Sequence, residues 1–281
     1  MPSAGRLGLL EESAPGHLSE LGWDNDEAAD VLWSLSRAPD ADLTLRALMR
    51  LRGAVGGGEW PEIDRLIRTD RGFRGRLFAV LGASDAFGDH LVAEPDSWRL
   101  LMSSTIPTVE EINTRMLASV DATAEPGETE QGNKLYRAAL TGPRAVVALR
   151  IAYRNLLLEL AAHDLACTVE DEPVLFLPEV GGFLADAADA ALTAALAVAI
   201  AEVCGDKPLP VRLAVIAMGK CGARELNYVS DVDVIFVSEP ADGMAARIAG
   251  EVMRVGSLAF FDVDAALRCG APRRRQRGFR S

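Results

Sequence analysis

The apolar pattern of this 281-residue chain changes at Gly205, and the change limits the folds open to it. From about residue 24 up to that point, apolar residues recur at three- and four-residue spacing, which predicts a succession of helices. The last two helices, over 144–166 and 183–203, are long and so apolar that most of their surface must be covered.

A different pattern follows Gly205. Two short runs rich in β-branched residues, Val211–Ala217 and Val232–Val237, predict buried strands. Helical spacing over 245–258 predicts a helix between the second strand and a third, strand-like run at 259–263. We therefore expect an α+β fold, in which an N-terminal helical region precedes a mixed sheet flanked by helices.

The polar, acidic stretch 121–132 contains almost no large apolar residue, so we expect a flexible surface loop there. It separates a helical N-terminal region, 1–120, from residues 133–268, whose helices lead into the predicted sheet. Trp33 and Trp98 stand at helical spacing within the first region, which favours core positions for both.

Residues 269–281 hold five arginines and no acidic residue, although the whole chain carries a net charge of −12. Such an abrupt shift is typical of GC-rich DNA translated out of frame, so we expect an aberrant tail and a protein truncated after Arg268. A nucleic-acid-binding arm is the alternative interpretation of the tail.

Composition excludes several classes of protein. An isoelectric point near 4.8 argues against nucleic acid or an anionic membrane as a partner. Four cysteines without a CxxC pair, and three histidines, indicate neither a zinc site nor a disulfide framework. The N-terminus is too acidic for a secretory signal, which predicts a cytoplasmic location. The uncharged run Ala190–Ala201 is shorter than the roughly 20 residues of a membrane span, so we expect a buried helix.

Gly219 and Gly222 come directly after the first predicted strand. Glycines at such a point let the backbone approach a ligand closely and let a short helical turn direct its N–H groups at phosphate. The segment is not a Walker A loop, because Cys221 follows Lys220 and Ala214 stands where that loop needs its first glycine. The turn therefore predicts a phosphate-binding site of another kind.

Asp231 and Asp233 stand two residues apart at the start of the second predicted strand. The period of two directs both carboxylates to one face of that strand. Mg²⁺ accepts one or two carboxylates and fills its other positions with water and substrate phosphate, so the pair could hold metal and nucleotide together. Two-metal phosphoryl chemistry needs a third carboxylate from a neighbouring strand, and either Asp262 or Asp264 could supply it.

The stretch AMGKCGARELNYVSDVDVIFV, at 217–237, closely resembles the signature of the bifunctional glutamine-synthetase adenylyltransferase and adenylyl-removing enzymes. These belong to the polymerase-β-like nucleotidyltransferase superfamily, in which a glycine-rich turn precedes a DxD motif at the spacing found here between Gly219 and Asp231. Further likeness extends the resemblance to about Arg268, in the stretches LWSLSRAPDADLTLRALMRL, LGASDAFGDHLVAEPDSW and LADAADAAL.

The resemblance implies an incomplete nucleotidyltransferase-type sheet and places the chain in the N-terminal, adenylyl-removing portion of a bifunctional enzyme. The implied reaction is phosphorolysis, in which inorganic phosphate attacks the AMP–tyrosine bond of modified glutamine synthetase and releases ADP. The other catalytic unit adenylylates the same protein from ATP. The implied catalytic residues and Mg²⁺ ligands are Asp231, Asp233 and Asp264. The implied nucleotide-binding residues are Gly219, Lys220, Gly222 and Ser230.

The implied partners are glutamine synthetase, ATP or ADP, phosphate and a PII-type regulatory protein. Two other interpretations of a truncated chain stay open. It could be a catalytically inactive docking module that binds glutamine synthetase or a regulatory protein, or it could be an unstable fragment.

Overall fold

The computed structural model of the chain describes residues 3–125, 134–240 and 242–267. These residues form a mainly helical α+β fold, as predicted. The helices are α1 Ala14–Glu20, α2 Ala29–Leu35, α3 Ala41–Thr69, α4 Arg71–Ala83, α5 Asp85–Ala93, α6 Val109–Ala118, α7 Gly142–Leu165, α8 Leu177–Cys204, α9 Gly219–Ala223 and α10 Gly243–Ala259. The strands are β1 Thr123–Ala124, β2 Tyr136–Arg137, β3 Arg212–Ala217, β4 Val232–Glu239 and β5 Val263–Leu267.

The chain divides into two compact units, each built from two segments. The first unit is Met1–Pro107 with Arg154–Val180, and the second is Thr108–Tyr153 with Gly181–Ser281. This division differs from the linear one expected from the sequence, because a middle segment of the chain belongs with the N-terminal helices.

The predicted flexible loop, 121–132, falls partly outside the described residues. Its first part contains β1, which pairs antiparallel with β2. Residues 126–132 and the predicted arginine-rich tail, 269–281, are not among the residues that the structure describes.

The described residues of the first unit form helices and connecting loops, without a strand. Its largest fully buried side chains include Trp23, Phe73 and Phe78. The carboxylates of Asp40 and Asp70 accept backbone N–H bonds at the starts of α3 and α4, which satisfies donors that have no partner within a helix. Helix α3 is interrupted at Gly56, whose φ of 70° and ψ of 178° are not helical, so one helical segment ends there and the next begins.

The two tryptophans predicted to be core residues have different environments. Trp98 is buried, and its indole N–H donates to Glu59 at 3.1 Å. Trp33 is 46% exposed, so that prediction is wrong. Helix α2 directs Val31, Leu32 and other apolar residues into the core, and Trp33 lies on the opposite side of the helix.

The second unit contains a three-stranded mixed sheet in the order β3-β4-β5. Strand β4 pairs antiparallel with β3 and parallel with β5, and α10 forms the crossover between the parallel strands. The third strand begins later than predicted, because Ala259 is still the last residue of α10. Close packing fixes this arrangement, since a methyl group on Gly256 of α10 would lie 2.7 Å from the Val263 side chain.

One face of the sheet is covered more completely than the other. On β4, the side chains of Val232, Val234 and Phe236 are buried. Strand β3 alternates between exposed and half-buried residues, so the prediction of a fully buried strand there is wrong. The second face of β3 is open, and Ile216 is 46% exposed on it.

Helix α8 contains the apolar run predicted to form a buried helix. Within the described residues it is the one helix long and apolar enough to cross a membrane by length and composition, and 61% of its most apolar window is buried inside the structure. Buried helices of protein cores have the same composition.

Candidate active site

The glycine turn after β3 lies directly against β4. Gly219 begins α9 in the left-handed region, with φ +53°, and a methyl group added to it would lie 2.6 Å from Oδ2 of Asp233. The neighbouring backbone is tied to the same residue, because the Met218 N–H donates to the Asp233 carbonyl at 2.8 Å. Only glycine fits here without moving the Asp233 carboxylate.

The rest of the turn folds back on the end of β3. A methyl group on Gly222 would lie 2.6 Å from the carbonyl oxygen of Ala217, so this glycine permits close contact between α9 and the strand. Lys220 lies between the two glycines and is exposed. The turn therefore packs against both Asp233 and the end of β3, and it carries one exposed lysine.

Asp231 and Asp233 occupy the positions that their spacing predicts. Both are exposed, whereas the alternate residues Val232 and Val234 are buried on the other face of β4. Neither carboxylate has a hydrogen bond or an ion pair with another of the described residues. Ser230, just before them, donates its hydroxyl to the Asp231 carbonyl at 3.0 Å. Two uncommitted carboxylates on an accessible face are available to bind a cation.

The third strand places two more acidic residues beside this pair. In the parallel register, the Cα of Asp264 is the partner of the Cα of Asp233. The carbonyl of Asp262, just before β5, accepts the Val232 N–H at 3.0 Å. The side chain of Asp264 is outside the described part of the structure, and the described side chains contain no group of three potential metal ligands. The role of Asp264 therefore stays a prediction, based on its backbone position.

Two residues that hold the turn were missed in the sequence analysis. Arg224 ends α9 in the left-handed conformation, with φ 60°, and its guanidinium makes a bidentate pair with Asp186 of α8 at 2.8 and 2.7 Å. The Arg224 carbonyl lies so close to α8 that a methyl group on Gly181 would be 3.1 Å from it. The consecutive glycines 181 and 182, just before the helix predicted over 183–203, were the available signal of this close approach.

Cys221, inside the turn, is not suited to act as a nucleophile. It is buried, and burial together with the negative charge of Asp189 raises the pKa of its thiol to about 11. The thiol is therefore protonated at neutral pH.

Comparison with known proteins identifies the family of the chain. Residues 74–255, which include the turn, Asp231 and Asp233, match the sequence model of the family described as glutamate-ammonia ligase adenylyltransferase. The chain belongs to this family. The predicted family is thereby confirmed, and glutamate-ammonia ligase is another name for glutamine synthetase.

Curated relatives carry a more specific name. The chain is 62% identical over 268 residues to the bifunctional glutamine synthetase adenylyltransferase/adenylyl-removing enzyme of Nocardia farcinica. It is 55% identical over 272 residues to the protein of the same name from Mycobacterium tuberculosis strain H37Rv. Each alignment covers 95% of this chain and 26% of the relative, so the chain spans about a quarter of the length of these enzymes.

Proposed function

We propose that this chain is the adenylyl-removing, N-terminal portion of a bifunctional nucleotidyltransferase that acts on glutamine synthetase. The observation that carries the proposal is the pair of uncommitted carboxylates, Asp231 and Asp233, on the accessible face of β4 next to the glycine turn. The backbone pairing of Asp264 with Asp233 supports it. The names of the long relatives suggest the protein substrate and the two opposed activities.

The residues present fit magnesium. Asp231, Asp233 and Asp264 would hold Mg²⁺, which prefers carboxylate oxygens together with phosphate and water. When bound, the ion would neutralise the negative charge on the phosphate oxygens during the transfer reaction. Because the carboxylates of Asp231 and Asp233 make no competing ion pair with described residues, metal binding does not require an existing interaction to break.

The remaining residues of the site bind and orient nucleotide. The short turn that contains Gly219 and Gly222 would bind phosphate oxygens through its backbone N–H groups. The exposed ammonium of Lys220 adds positive charge there, and the hydroxyl of Ser230 lies at the same end of β4. In the reaction, an oxygen of inorganic phosphate forms a new bond to the phosphorus of the AMP–tyrosine ester. The bond from that phosphorus to the tyrosine oxygen breaks, which gives ADP and free tyrosine.

The proposal has consequences for partners and location. The protein substrate is glutamine synthetase, the small ligands are phosphate and ADP or ATP, and a PII-type protein regulates the enzyme. Adenylylation from ATP belongs to a second catalytic unit of the longer enzyme. The location is cytoplasmic, without a role for nucleic acid or a membrane.

Calorimetry on the whole 281-residue chain tests the metal site. We expect ADP to bind only when Mg²⁺ is present, and we expect the double variant Asp231→Asn, Asp233→Asn to lose this binding. Asp206→Asn, an exposed aspartate outside the sheet, is the matched control and should bind like the unchanged chain. Equal binding by the double variant and the control would contradict the proposal.

Turnover is tested separately. Adenylylated glutamine synthetase, supplied with phosphate and this chain, should release ADP, and the double variant should not support release. Capture of glutamine synthetase without ADP release would instead favour the docking module.

A further inference from the structure

A pocket of about 250 Å³ lies wholly within the first unit. One wall comes from α2 and the turn after it, where Asp30, Trp33, Ser34 and Arg37 share one side at spacings of three and four residues. The opposite wall comes from the first turn of α4, and Glu170 closes the base. None of these residues belongs to the unit that contains Asp231 and Asp233.

The base of the pocket is a buried polar network whose members are already satisfied. The Glu170 carboxylate accepts hydrogen bonds from the Ser34 hydroxyl at 2.5 Å and from Nε of Arg74 at 2.8 Å. The side chains of Arg74 and Glu170 are 3% and 2% exposed. Since the Glu170 oxygens are committed, the base is not a cation site; it is a rigid support for the rim.

The rim carries side chains with hydrogen-bond donors that no described residue uses. Trp33 is nearly half exposed, and its indole N–H has no hydrogen bond with the described residues. Arg37 is exposed and makes no ion pair with them. The Arg71 side chain is 74% exposed and uses its Nε for Glu170, at 3.2 Å, which leaves its terminal nitrogens free. Asp30 supplies the one opposing charge of the rim.

The exposed tryptophan and the two arginines of the rim are suited to a ligand that has both a planar ring and a phosphate. An exposed aromatic face stacks well on a planar base, and arginine guanidinium groups match the geometry of phosphate oxygens. We propose that the pocket binds a mononucleotide, with the base against Trp33 and the phosphate between Arg37 and Arg71. The inference is independent of the proposed function, because it uses no residue of the sheet.

Nuclear magnetic resonance of the ¹⁵N-labelled chain tests the proposal with AMP as the probe. The four tryptophans give four indole N–H signals, and Trp33→Phe identifies the one from the pocket. We expect AMP to shift that signal in a saturable way. Ribose 5-phosphate, which lacks the base, and adenosine, which lacks the phosphate, should bind at least tenfold more weakly.

Variants then separate the two contacts from a general loss of structure. Arg37→Gln with Arg71→Gln should weaken AMP binding at least tenfold while the other three indole signals stay in place. Arg50→Gln, an exposed arginine of α3 in the same unit, is the matched control and should change nothing. The Asp231→Asn, Asp233→Asn variant should retain the Trp33 shift, which distinguishes this pocket from the nucleotide site proposed above.

The proposal is overturned if AMP leaves the Trp33 signal unmoved in the unchanged chain, a result that depends on no variant. It is also overturned if the double arginine variant binds AMP as tightly as the Arg50→Gln control. If ribose 5-phosphate binds as tightly as AMP, the base makes no contact with Trp33, and the proposal of a nucleotide ligand is wrong.

Discussion

Gly219 meets two requirements of its position that only glycine meets together. Its φ of +53° favours glycine, and its missing side chain leaves space for Oδ2 of Asp233. The first requirement affects stability, because a residue with a β-carbon in this region costs about 1–2 kcal/mol. The second affects the site, because the carboxylate must move if the space is filled.

These two effects can be separated with alanine substitutions. Gly219→Ala should lower the affinity for Mg²⁺ and ADP by about tenfold, as displacement of a metal-binding carboxylate does. Gly205→Ala is the matched control, because Gly205 also has a positive φ, of 56°, but a methyl group there meets no atom within 4 Å. Both variants should be destabilised similarly in thermal unfolding. If calorimetry finds the same nucleotide affinity in both variants, the close contact between Gly219 and Asp233 does not affect nucleotide binding.

Helix α8 and the glycine turn are joined by the Arg224–Asp186 pair. The Arg224 side chain is 53% exposed and that of Asp186 is 14% exposed, so the pair contributes less to stability than a buried one would. Its geometry is more important than its energy, because two parallel hydrogen bonds fix the orientation of the turn that contains Gly219.

A lysine cannot make both bonds, which gives a second prediction. Arg224→Lys should lower the free energy of unfolding by less than about 1 kcal/mol and should weaken Mg²⁺-dependent ADP binding by about tenfold. Arg254→Lys, which alters an ion pair of α10 with Glu202 of α8, is the control and should bind ADP normally. Binding that is unchanged in Arg224→Lys would show that the turn keeps its position without the pair.

The helices and strands also show what sequence patterns can and cannot predict. The alternation on β4 was predictable, because Asp231 and Asp233 differ in polarity from their buried neighbours. The open face of β3 was not, since an apolar sequence does not reveal whether a second layer covers it. The Arg224–Asp186 pair joins positions 38 residues apart, and no local pattern records such a contact.

The stability of the first unit depends on its buried ion pair. Burial alone would raise the pKa of the Glu170 carboxyl, but hydrogen bonds from Ser34 and Arg74 and the charges of Arg74 and Arg71 outweigh it and lower the pKa. Because the pKa is lower in the folded chain, Glu170 contributes stability above the ordinary value of 4.5, and this contribution is lost as the pH falls through the folded-state pKa.

Removal of the charge gives a third prediction. Glu170→Gln leaves Arg74 buried without its partner charge and should lower the free energy of unfolding by about 3 kcal/mol near neutral pH. The difference should shrink below pH 4.5. Tryptophan fluorescence during urea unfolding measures it, because all four tryptophans lie within 1–107. Asp89→Asn, in an exposed pair with Arg50, should have little effect; an equal loss in both would contradict the assignment.

Because β4 and β5 pair in parallel, the length of the connection between α10 and β5 decides which residue lies opposite Asp233. Asp264 stands opposite Asp233 only because the crossover through α10 and the three residues after it delivers β5 in one register. Deleting a single residue between Ala259 and Val263 would bring Ala265 to that position and turn each following residue to the other side of the strand. Insertions and deletions in this connection would therefore move Asp264 away from the proposed metal site without any substitution of that residue.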